Sequence, residues 1–157
     1  MQKSLDSVHM HTYTVPMPNI PVITHCNAFA TRQAARFVSQ LYERHLSKVG
    51  LTSSQFSIIA VLHHSPGITM NELADLLVMD RTSLVRAIQP LTRDGFIAGA
   101  PPASGARRRM LSLTETGEHQ YVLGYPHWQA AQTEYENLVG AERAGALRST
   151  LNEITRI

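Results

Sequence analysis

At 157 residues with 43% hydrophobic and 17% charged residues, the chain is long enough for one domain with a real core and too apolar for wholesale disorder. No run approaches the roughly eighteen apolar residues of a membrane span, and the N-terminus lacks a signal peptide's unbroken apolar stretch. A net charge of +2 says little about partners, while the single cysteine, Cys26, excludes an internal disulfide and fits a reducing cytoplasm.

Residues 1–23 contain Pro16, Pro18 and Pro21 and read as an arm, since proline breaks helix interiors. From about 25 to 49, Ala34, Phe37, Val38, Leu41, Tyr42, Leu46 and Val49 recur at three- and four-residue steps, predicting one long amphipathic helix stopped by Gly50. Thr52 and Gln55 form a capping box that opens a short, nearly all-apolar helix through Leu62, broken at His63-His64-Ser65-Pro66-Gly67. Thr69 and Glu72 form a second box, opening a helix through Leu73, Leu76 and Leu77. Asp80 caps the next helix, 81–94, with Gly95 as its stop and Pro90 bending its last turn. A strand at 96–98, a loop at 99–106 and an alternating strand at 109–113 predict a hairpin. Thr114 then caps a long helix to about 138, and Gly140 separates it from a final one to about 154.

Charge is unevenly placed. Residues 81–109 carry six arginines against one acid, Asp94, whereas 114–157 carries six glutamates against three arginines. Arginine suits bidentate contact with phosphate and guanine. Two short, tightly linked helices followed by a basic hairpin describe a winged helix-turn-helix. The expected class is mostly α, an α+β winged helix with long N- and C-terminal helices forming a dimerisation lobe. Its parts are an arm at 1–23, helical dimerisation segments at 24–50 and 115–157, and a DNA-binding region at 51–114. A twofold homodimer buries the apolar faces of the long helices.

On this helix, Arg81, Thr82, Ser83 and Arg86 are expected on the outward face and Leu84, Ala87, Ile88 and Leu91 on the inward one. Arg107 is the foremost candidate for a minor-groove or phosphate contact, with Arg108 sharing its charge. Arg93 is a candidate for pairing with Asp94 or Asp75. The eight histidines have no closed-site zinc spacing, and no nucleophile–base group, phosphate loop or carboxylate pair stands out. Neither an enzyme nor a bound metal or cofactor is expected. The partners expected are double-stranded DNA and a second copy, with no membrane.

Several fragments, in order and spacing, resemble the MarR family of bacterial transcriptional regulators over 25–157. They are LTSSQF at 51–56, ELA at 72–74, DRTSLVR at 80–86, LTRDGFI at 91–97, and Arg107 followed by LSLT at 111–114 and Gly117. The family often has an aspartate two residues before the wing arginine; here Gly105 stands there. The resemblance implies a small-molecule pocket where the dimerisation helices meet the winged lobe, often for aromatic carboxylates or phenols. Candidates for it are Arg32 and Arg36, one turn apart, with Tyr42, His45, His63 and Trp128 for stacking or hydrogen bonds. Peroxide-sensing members carry a reactive cysteine near the start of the first helix, which makes Cys26 the candidate for a thiol-based alternative. A winged protein-interaction module without DNA is the other alternative, and the arginine-rich wing speaks against it.

Overall fold

A computed structural model describes residues 20–100 and 110–156. The arm up to residue 19 and the wing tip with Gly105, Arg107, Arg108 and Arg109 lie outside the described residues. The chain divides after Ala35 into two units. In the first, α1 (Pro21–Thr24) is a single turn with proline at its start, where a missing amide costs nothing. Cys26 then opens α2 (Asn27–Leu46), its carbonyl accepting from Ala30 N at 3.0 Å and its Sγ from Phe29 N at 3.4 Å.

The second unit begins at Arg36, within α2. That helix stops three residues earlier than its apolar period predicts, because 47–49 tighten into a 3₁₀ turn that ends on Gly50 at φ 74°. There follow α3 (Ser53–His64), β1 (Ile68–Thr69), α4 (Met70–Leu76), α5 (Arg81–Arg93), β2 (Ile97–Ala100), β3 (Met110–Leu113), α6 (Glu115–Val139) and α7 (Ala141–Ile154). Both capping boxes form as their spacing dictates, with Gln55 N donating to Thr52 Oγ1 at 3.1 Å and Glu72 N to Thr69 Oγ1 at 3.3 Å.

The three strands form one antiparallel sheet in the order β1-β3-β2. Two details depart from expectation. Strand β2 runs two residues further than 96–98 suggests, because Gly99 and Ala100 pair with Leu111 and Met110. Strand β1, absent from the sequence reading, pairs Ile68 with Leu111 and Thr69 with Met110, and Gly67 N donates to the Leu111 carbonyl at 2.9 Å. Two residues are too short to display a period.

The core joins Leu46 and Leu51 to Phe56, Ile59 and Leu62 of α3, Leu73 of α4, Leu84, Ile88 and Leu91 of α5, and Ile97 and Leu111 of the sheet. Helix α6 approaches α3 closely enough that a Cβ on Gly124 would stand 2.8 Å from the Phe56 ring, which would have to shift to admit it. On α2 the lower half of the apolar face is covered, with Leu41 and Leu46 buried, while Phe37 remains exposed. No helix among the described residues is long and apolar enough to cross a membrane.

Candidate nucleic-acid interface and effector cavity

The turn between α4 and α5 sets the direction of α5. Leu77 N donates to the Leu73 carbonyl at 3.1 Å and Met79 N to the Ala74 carbonyl at 2.9 Å, while Val78 between them takes φ 52°. Asp80 then closes the start of α5, accepting from Ser83 N at 2.9 Å and from Ser83 Oγ at 2.6 Å. The Ser83 hydroxyl and amide hold the Asp80 carboxyl below its usual range.

Helix α5 has two chemically distinct faces. Leu84 and Leu91 are fully buried and Ile88 nearly so, whereas Arg81, Thr82, Ser83, Val85, Arg86 and Gln89 are exposed. Neither Arg81 nor Arg86 has a carboxylate partner among the described residues, so both guanidinium groups are available to a phosphate or a base edge. Ser83 is exposed, but its hydroxyl proton is spent on Asp80. Of the two partners suggested for Arg93, the one found is Asp94, with Nε 3.1 Å from Oδ1.

The hairpin leads directly into α6. Thr114 Oγ1 donates to the Gly95 carbonyl at 2.6 Å and accepts from Gly117 N at 3.0 Å, so one hydroxyl joins the end of the helix-turn-helix to the first turn of α6.

A cavity of about 400 Å³ lies among α2, α3, the α4–α5 turn and α5. Tyr42, Ser53, Ser54 and Ser57 line it with the apolar Val38, Ile58, Leu77, Met79 and Ala87, and the Ser57 hydroxyl donates to the Ser53 carbonyl at 3.0 Å. Among the described residues, no charged side chain lines it. Tyr42 donates to Gln132 Oε1, and burial, assisted by Glu136, pushes its phenol pKa up.

The five suggested effector residues of the second unit, Arg36, Tyr42, His45, His63 and Trp128, do not line one cavity. Tyr42 alone lines the cavity. His45 Nε2 lies 2.6 Å from Glu134 Oε2, and Arg44 bonds the other oxygen of that carboxylate at 2.6 Å. His63 Nδ1 lies 2.6 Å from Glu118 Oε2, its ring stacked on Tyr121 with centroids 3.9 Å apart. Trp128 stacks between Phe56 and Tyr125. These three rings fasten α6 to its neighbours, and Arg32 and Arg36 are exposed on α2. Sequence reasoning missed the serines at 53, 54 and 57; the available signal was a cluster of small hydroxyls at the start of an otherwise apolar helix. Cys26 is half-buried, engaged at the start of α2.

A model of the MarR family matches residues 49–108. Over 89 residues the chain is 30% identical to an uncharacterized HTH-type transcriptional regulator of Bacillus subtilis, YybA, a match covering 57% of this chain and 59% of that protein. It is 27% identical over 124 residues to the homoprotocatechuate degradative operon repressor of Escherichia coli, covering 79% of this chain and 81% of that one. Among solved structures, the transcriptional regulator MosR of M. tuberculosis in complex with DNA is 34% identical, covers 84% of this chain and 99% of its own, and superposes with a TM-score of 0.68.

Proposed function

The chain belongs to the MarR family of DNA-binding transcriptional regulators, and on that premise we propose that it is a ligand-responsive repressor acting as a homodimer on a pseudo-palindromic operator. The observation that carries this reading is the division of α5: an apolar side turned into the core and an outward side bearing Thr82, Arg81 and Arg86, with neither arginine paired to a carboxylate among the described residues. One α5 from each copy enters the major groove, with half-sites about one helical turn apart. Thr82 and Arg86 meet base edges, Arg81 meets phosphate, and Ser83 acts by fixing the helix start through Asp80. Arg107 and Arg108 of the wing meet the minor groove or flanking phosphates.

The second copy covers apolar surface that a monomer leaves in water. Leu147, Leu151 and Ile154 follow one another at helical spacing along α7, all exposed, with exposed Leu138 at the end of α6.

The effector is a small phenolic compound held in the cavity beside Tyr42. A volume of about 400 Å³ falls in the range of small-ligand sites. A lining of neutral polar and aliphatic residues suits an aromatic ring carrying its own hydroxyl, and the lack of a lining cation among the described residues disfavours a free carboxylate. Because Leu77, Met79 and Ala87 belong to the turn and to α5, a ligand touching them favours one placement of that helix over another. The repressor role of the Escherichia coli relative supports the same direction of control.

A gel-shift titration with a duplex selected from a random pool tests the whole reading. Binding should weaken steeply with salt, and phenols should release the DNA while the matching benzoates do not. Binding that ignores salt would overturn the DNA contacts, and release by benzoates alone would overturn the effector assignment.

A further inference from the structure

We infer that Val85 reads a thymine methyl group in the operator, which makes it a specificity-determining residue of α5. The inference rests on the reading of α5 as the major-groove helix. Val85 is 39% exposed, although its neighbours Leu84 and Ile88 are inside. A β-branched side chain in the middle of an exposed helix face lowers helix propensity, and here more than a third of it stays in water. Single exposed apolar residues are ordinary on protein surfaces, so exposure alone carries no meaning. The surroundings supply it.

Arg81 and Thr82 lie four and three residues before Val85, and Gln89 lies four after it, so all three are its neighbours on the helix surface. Arg86 follows directly, and all four are exposed. Val85 is therefore an apolar spot enclosed by the polar groups that face the duplex. The Ser83 hydroxyl donates to Asp80 at 2.6 Å, so its proton is not offered to a base. In the major groove the only apolar feature that distinguishes one base from the others is the 5-methyl of thymine. Two branched methyls at the centre of the reading face match it and match nothing on a guanine or cytosine edge.

The test uses the full chain and the operator selected from a random duplex pool. Each thymine is replaced in turn by deoxyuridine, which removes the methyl and leaves every hydrogen-bonding group intact. For the wild type, one symmetry-related thymine in each half-site should be sensitive, with affinity falling about fourfold per half-site, the cost of one buried methyl. V85A should bind thymine and uridine equally at that position and keep the wild-type profile elsewhere. V85T, which keeps one methyl, should show an intermediate sensitivity, and it is the variant to read where V85A binds too weakly. The same uridine profile for wild type and both variants would overturn the inference while leaving the DNA reading intact. A pool yielding no operator would overturn both.

Discussion

The carbonyl oxygen of Phe96 occupies the space that a Cβ on Gly117 would need. The same oxygen accepts from Thr114 N at 3.0 Å, so the crowded backbone is pinned at the junction of the hairpin and α6. Gly117 sits in the first turn of α6, where alanine would normally be the better helix former. Here G117A should instead destabilise the protein by about 2–3 kcal/mol or more, because backbone rather than a flexible side chain must give way. Urea denaturation at neutral pH measures it, and a neutral or stabilising result would show that the junction yields.

Val78 makes the opposite prediction. It is a β-branched residue at φ 52° and 66% exposed, so the left-handed backbone is strained and little burial compensates. V78N should raise stability by about 1 kcal/mol, since asparagine tolerates that region and nothing packed is lost. The same denaturation curves decide it; a loss would mean that the side chain holds the turn in a way its exposure does not reveal.

Local chemistry made much of this fold readable in advance. Thr52 with Gln55, Thr69 with Glu72, and the stops at Gly50 and Gly95 are each set by residues within one helical turn. The hidden features join distant positions. Strand β1 exists because Ile68 meets Leu111, and the cavity gathers side chains from Val38 to Ala87. His45, His63 and Trp128 have the chemistry of ligand-binding groups, and nothing in their spacing discloses Glu134, Glu118 and Phe56 as their actual neighbours. The outward positions of α5 were legible because a single helix period decides them, whereas Val85 was not, since an apolar residue there looks like part of the buried side.

Glu134 ties acid stability to the α2–α6 contact. Its hydrogen bond to His45, followed by that to Arg44, holds its carboxyl below the ordinary glutamate value of 4.5. A depressed folded-state pKa means stabilisation that is complete above the unfolded value and lost as pH falls through the folded one. The stability difference between wild type and E134Q should therefore be greatest from neutral pH down to the ordinary carboxylate range and should close below it. Denaturation midpoints for the two proteins across that range provide the measurement. A difference that stays constant into acid would mean that the contact does not depend on the charge of Glu134.

Arg86 and Arg107 are assigned different tasks on DNA, and salt separates them. Each phosphate contact releases condensed counterions, so losing one lowers the magnitude of the logarithmic salt slope by about one unit. R107A should weaken binding to the selected operator and to unrelated duplex alike, with that change in slope. R86A, from the exposed middle of α5, should leave the slope nearly unchanged and relax preference at particular base pairs, costing about 1–3 kcal/mol on the operator and much less elsewhere. Titrations at several salt concentrations, on operator and scrambled duplexes, separate the two. A uniform loss with a reduced slope for R86A would move that guanidinium from the bases to the phosphates.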